Sequence, residues 1–102
     1  MCAACGHRLA PTSACFAMPG HGAMATFVNP GGYVHELLTV RHAPGALAAG
    51  DRVRADSWFP GTTWRFALCG GCTGFVGWFY EPVGPDGPEA FWGLRAAAVR
   101  RD

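Results

Sequence analysis

Two Cys-x-x-Cys units, Cys2/Cys5 and Cys69/Cys72, are the residues of this chain best spaced for chemistry. A turn of that length presents two thiolates on one side of a knuckle, and two such turns close a tetrahedral zinc site. Four thiolates leave no open position for water or substrate, so the expected metal is structural rather than catalytic. Gly6, behind the second thiol, is free to take the positive φ of a tight turn. The fifth cysteine, Cys15, reads as a small, partly buried apolar residue. A nucleophile there would need a lowered pKa and an orienting base, and the spacing of His7 and His21 supports neither as that base.

Three tryptophans, Trp58, Trp64 and Trp78, gather around the second knuckle. Trp64 falls on a strand entering it and Trp78 on a strand leaving it, so in a hairpin the two indoles can lie across from each other. Tyr80, two residues beyond Trp78, shares its face and would bring a phenol to the rim. Trp58 arrives from the loop before Pro60 and closes a third wall. Such a cage takes cations by cation–π attraction, or flat small molecules by stacking and shape. The competing reading is a plain core, the commonest use of tryptophan in a small β domain, and Trp92 beside Phe91 fits that reading. His35 reads as a hydrogen-bonded structural histidine, Asn29 before Pro30 as a turn former, and Glu36 as a solvated or capping side chain. Asp56 reads as either a turn residue or a rim carboxylate.

The elements that must position these groups are short strands. Residues 24–28 and 33–40 are β-prone runs around Asn29-Pro30-Gly31-Gly32, which predicts a hairpin. In the second run Val34, Glu36, Leu38 and Val40 share one face, and Tyr33, His35, Leu37 and Thr39 the other. Residues 42–50 read as a loop rich in Ala, Gly and Pro, with a short strand-like run at 52–55. Pro60-Gly61 forces a turn. Residues 62–68 alternate, with Trp64, Phe66 and Leu68 on one face, and 75–80 follow the second knuckle as the next strand. A Pro/Gly loop over 81–88 leads to a last strand at 91–94, and 95–102 read as a frayed helical turn or a tail. No repeat or internal boundary is visible, so residues 1–102 are expected to form a single domain.

With 102 residues, half of them apolar, the chain is too hydrophobic for disorder. A domain of this size buries only about two-thirds of its unfolded surface, so a metal staple contributes materially. The net charge of +1, the scattered arginines and the lack of lysine argue against nucleic-acid binding through a charged patch. No apolar run approaches the ~18 residues of a spanning helix, and no charged and apolar leader opens the chain. A cytoplasmic protein without a membrane partner is the expectation, and it favours zinc over disulfides for the paired cysteines.

Several of these runs together resemble the CULT domain, the thalidomide-binding C-terminal domain of cereblon, which also occurs as free-standing single-domain proteins, including bacterial ones. The runs are 27–36 (FVNPGGYVHE), Ser57-Trp58-Phe59-Pro60-Gly61 with Trp64, the second knuckle with Gly77-Trp78, and Phe91-Trp92-Gly93-Leu94. They stand in the family's order and span Cys2 to Leu94, leaving 95–102 as a tail. The resemblance implies an all-β fold, a β-tent of two antiparallel sheets pinned by one zinc on Cys2, Cys5, Cys69 and Cys72. It implies a non-enzymatic ligand site walled by Trp58, Trp64 and Trp78, with Tyr80 where the family has Phe or Tyr. The implied ligands are glutarimides such as thalidomide, related cyclic imides, and uracil or uridine, with a cyclic imide formed at a protein's C-terminus as a further candidate. The imide would hydrogen-bond to Asp56-Ser57-Trp58, and Asn29 and Pro30 would touch the outer part of the ligand.

The chain departs from the family in three respects. Cereblon has His where this chain has Asp56, and a carboxylate cannot donate a hydrogen bond to an imide carbonyl. The regions of cereblon that bind the ligase adaptor are absent, so no such partner is expected. The first zinc ligand is residue 2, which implies either a late start or a minimal N-terminus. Two rival functions use the same residues: a reader of methylated or quaternary ammonium groups through the cage, and an enzyme resembling methionine sulfoxide reductases, which share a related tent and a zinc held by two CxxC pairs. The enzyme would need a reactive cysteine, and only Cys15 is spare.

Overall fold

Six antiparallel strands carry the chain, in a computed structural model that describes residues 1–17, 24–28, 30–54, 57–59, 61–85 and 88–100. They are β1 (Met24–Val28), β2 (Val34–Val40), β3 (Ala46–Val53), β4 (Thr62–Cys69), β5 (Phe75–Pro82) and β6 (Phe91–Arg95). Thr12–Ala14 and Ala96–Ala98 form single 3₁₀ turns. Among the described residues no helix is long and apolar enough to cross a membrane.

The all-β antiparallel architecture is as expected, with one correction to its layout. The strands run β1-β2-β6-β5-β4-β3 in one hydrogen-bonded sheet rather than two. The joint is the β5–β6 pairing, Gly77 to Leu94 through Tyr80 to Phe91. It can close because Gly77 has no side chain: a Cβ there would overlap the Gly93 carbonyl oxygen, and its φ of +155° is one that L residues rarely adopt.

Side chains alternate across this sheet into two cores. Val40 and Leu94 point to one face, where they join Leu9, Ala67, Val76 and the knuckle residues Cys2 and Cys69. Leu37 and Phe91 point to the other face, where they meet Phe59 and Tyr80. Strand β2 therefore buries both faces over its last four residues, where the one polar side chain, Thr39, donates its hydroxyl to the Phe16 carbonyl at 2.6 Å. The expected hairpin is present, with Val28 opposite Val34.

Two expectations differ from the structure. The loop expected over 42–50 is largely strand, because β3 runs from Ala46 and pairs with β4 from Ala46–Cys69 to Val53–Trp64. An edge strand held by backbone bonds needs no apolar alternation, so its Ala- and Gly-rich sequence hid it. The C-terminal segment is also tied in: Val99 bridges Cys2, and Ala3 N–H donates to the Ala98 carbonyl at 2.9 Å.

Candidate functional site

The metal centre is assembled from the two ends of the long-range contact that the knuckles make. In the first, Cys2 N–H donates to the His7 carbonyl and Gly6 N–H to the Cys2 carbonyl, with Gly6 at φ +77°. In the second, Cys69 N–H donates to the Gly74 carbonyl, Thr73 N–H to the Cys69 carbonyl, and Gly71 N–H to Cys69 Sγ at 3.3 Å. Gly71 lies against His7, and a Cβ at Gly71 would press on the His7 Cβ at 2.8 Å and on its ring at 2.9 Å. The knuckles therefore close on each other only because one of them is glycine-rich.

All four sulfurs lie within 4.8 Å of one another. Cys2 Sγ is 3.8 Å from Cys72 Sγ, and Cys5 Sγ is 3.6 Å from Cys69 Sγ. A tetrahedral zinc with bonds of about 2.3 Å separates its sulfurs by roughly 3.8 Å. The donor set and its spacing fit one zinc ion, with Cys2 and Cys69 buried and Cys5 and Cys72 exposed. The Cys5 backbone amide draws the Cys2 thiol down to about 7, against the burial that raises it. Cys15 lies outside the cluster and bridges Val40 through its backbone.

The aromatic site stands on the other face of the sheet. The β4–β5 register sets Trp64 opposite Tyr80 and Phe66 opposite Trp78. Trp64 and Trp78 are therefore diagonal neighbours rather than the direct pair the hairpin alone suggested. Trp58, Trp64 and Trp78 are all half-buried, and all pack against the cluster of Leu37, Phe59, Tyr80 and Phe91. Trp58 and Trp78 meet edge to face at 5.0 Å, whereas Trp64 has an edge contact with Phe66 at 5.3 Å.

Tyr80 is not at the rim. It is 2% exposed, with Phe59 edge-on at 4.7 Å and Phe91 stacked at 5.0 Å, so it forms the floor. Burial pushes its phenol far above its ordinary pKa, so it stays neutral.

Ser57 shapes the loop that brings Trp58 in. Its Oγ lies 2.7 Å from Thr62 Oγ1, and Thr62 Oγ1 donates to the Phe59 carbonyl at 2.6 Å. This hydroxyl is thus engaged in the turn itself. Pro30 is exposed in the β1–β2 turn. Asn29 and Asp56 lie outside the described residues.

Two more rings join this cluster that the sequence reading did not place with the tryptophans. Phe27 stacks on Trp58 at 5.0 Å and 8° between planes. His35 touches both indoles, 5.7 Å from Trp58 and 5.2 Å from Trp78. Their signal was present: both lie on the strand faces that the hairpin register turns toward each other, as the Phe27–His35 pairing records. Burial first, and then the charge of Arg95, hold the His35 pKa below its ordinary value. Arg95 itself lies 5.0 Å over the Phe75 ring, and Phe75 meets Trp78 edge to face at 5.1 Å. A fixed positive charge therefore stands one ring away from the indoles.

No protein-family model matches the chain. Curated relatives of the chain include proteins named cereblon. The chain is 41% identical over 104 residues to cereblon of Drosophila persimilis, covering 97% of this chain and 17% of that protein. It is 42% identical over 85 residues to cereblon of Danio rerio, covering 82% of this chain and 20% of that protein. For cereblon of Xenopus tropicalis the identity is 44% over 80 residues, with 78% and 18% covered. The chain spans about a fifth of the length of these relatives. Nearly end to end, this chain with its four-cysteine zinc centre is a cereblon-like domain.

Proposed function

We propose that this chain is a non-enzymatic binding domain whose aromatic cage takes a cyclic imide of the glutarimide type or a uracil-like ring. The observation that carries the reading is the convergence of Trp58, Trp78, His35 and Phe27 over the floor of Phe59 and Tyr80. Trp64 would complete the cage, and Asn29, Pro30 and the Asp56-Ser57-Trp58 backbone would meet the polar edge of the ligand. A flat imide has one donor between two acceptors, which backbone groups can match while the rings exclude water. A cyclic imide at a protein's C-terminus presents the same ring. The closed all-thiolate metal site, which leaves no open position for substrate, supports a non-enzymatic reading. Cysteines kept as zinc ligands rather than disulfides suit a reducing compartment such as the cytoplasm.

Quaternary ammonium ligands are the rival guests of such a cage. The nearby charge of Arg95 weighs against a cation. The test is one titration of the zinc-loaded protein with glutarimide, uridine and tetramethylammonium, followed by tryptophan fluorescence and repeated on Trp64→Ala. Saturable quenching by the imide or uridine that weakens in the variant supports the reading. A response to tetramethylammonium alone, or to none of the three, overturns it.

A further inference from the structure

A cavity of about 380 Å³ lies on the sheet face opposite the tryptophans. Its floor is apolar: Leu9, Val40 and Leu94 are each no more than 4% exposed, and Leu38 lies beside them. Its rim carries two arginines, Arg8 and Arg100, and none of the residues lining it is acidic. Both side chains are exposed, and among the described residues neither has an ion-pair partner.

The backbone that carries these arginines is fixed. Cys2 N–H donates to the His7 carbonyl on one side of Arg8, and Gly45 N–H to the Leu9 carbonyl on the other. A Cβ at Gly45 would overlap the Arg8 carbonyl oxygen, so that glycine lets the segment lie flat on the β3 approach. Arg100 is held beside Met1, donating its N–H to the Met1 carbonyl at 2.9 Å and accepting from the Met1 amino group. The bridge of Cys15 to Val40 closes the far side.

Among the described residues no carboxylate stands between these two like charges over the apolar hollow, and neither has an acidic partner. An anionic head would be met there by charge-assisted, fork-like bonds, and its hydrocarbon body would cover the floor. The volume is within the roughly 300–1,000 Å³ of small-molecule sites. The geometry points to a second binding site, independent of the tryptophan cage, for a short amphipathic anion with an alkyl body and a carboxylate or phosphate head. The site requires only that the zinc knuckle be closed, because Cys2 anchors both rim segments.

The experiment is a ¹⁵N amide-shift titration of the zinc-loaded protein with hexanoate, hexyl phosphate, hexanol and hexyltrimethylammonium. Saturable shifts at Leu9, Val40, Leu94 and Arg100 are expected with hexanoate or hexyl phosphate, and whichever binds more tightly names the head group. Hexanol and the ammonium should bind about tenfold more weakly or worse, the loss of one charge-assisted contact. The double variant Arg8→Gln/Arg100→Gln, with its amide spectrum and zinc content unchanged, should lose about as much affinity for the anion. Equal binding of hexanol, shifts centred on Trp58 and Trp78, or full anion affinity in the double variant would each overturn the assignment. If the glutamine pair unfolds, Arg8→Lys/Arg100→Lys replaces it: the same floor shifts with weaker anion binding support the site, and unchanged shifts without saturation remove it.

Discussion

The indoles of Trp58 and Trp78 meet edge to face, 5.0 Å between ring centroids and 78° between planes. Each therefore occupies part of the space that a stacked guest would need. A ligand between them must displace one ring, and Trp58 is the one on a loop, since Trp78 is paired in β5.

That contact predicts an exciton couplet in the ultraviolet circular dichroism of the free protein. Saturating glutarimide should collapse it, and Trp58→Phe should abolish it beforehand. A couplet that survives saturation would place the ligand elsewhere.

The metal prediction follows from the knuckles, which join the start of the chain to β4 and β5. Structural zinc contributes about 10–16 kcal/mol in zinc-finger peptides, as much as the ~5–15 kcal/mol total stability of a typical domain. Chelation, or Cys69→Ser, should therefore abolish cooperative thermal unfolding, and metal analysis should return one zinc per folded chain. A sharp transition in excess chelator would show that the cores suffice alone.

The third prediction concerns His35, whose pKa is lowered by burial and then by Arg95. Its folded value lies below the unfolded one of about 6.5. The unfolded chain thus takes up the proton first as pH falls, and His35 removes stability from about pH 6.5 downward until the folded value is passed. Arg95→Gln should raise the pKa measured by NMR, lessen that acid loss, and improve tetramethylammonium binding relative to glutarimide. An unmoved His35 pKa would separate Arg95 from the cage.

Gly77 gives the fourth. Gly77→Ala places a methyl group on the Gly93 carbonyl at a φ of +155°, which breaks the β5–β6 joint. The expected cost in urea unfolding is about 3 kcal/mol or more, with the cage disrupted in parallel because Trp78 is the next residue.

Tyr80 gives the fifth. Its ring is floor rather than rim, so Tyr80→Phe should leave glutarimide affinity within about twofold, whereas Tyr80→Ala should cost about 3–5 kcal/mol of stability, as large aromatic truncations do. A large affinity loss in Tyr80→Phe would return the phenol to the ligand.

Much of this protein is local in origin and could be read without coordinates. The two CxxC turns with their glycines, the hairpin around Pro30, the strands flanking the second knuckle and the small number of indoles are all patterns within about ten residues of chain. They fixed an all-β domain, a zinc staple and the kinds of side chain available for a cage. What the tertiary structure decided depends on register between distant strands. The bulge between Ala67 and Leu68 leaves Val76 unpaired and puts it on the opposite face from Trp78, although both have even numbers. That shift, with the β4–β5 pairing, set Trp64 against Tyr80 and sank the phenol into the floor. Phe27 and His35 reach Trp58 only because β1 and β2 face the loop that carries it. Ala-rich β3 became a strand because an edge needs backbone bonds rather than apolar alternation. Periodicity reports which residues share a face; only the pairing of strands far apart in sequence decides what that face meets.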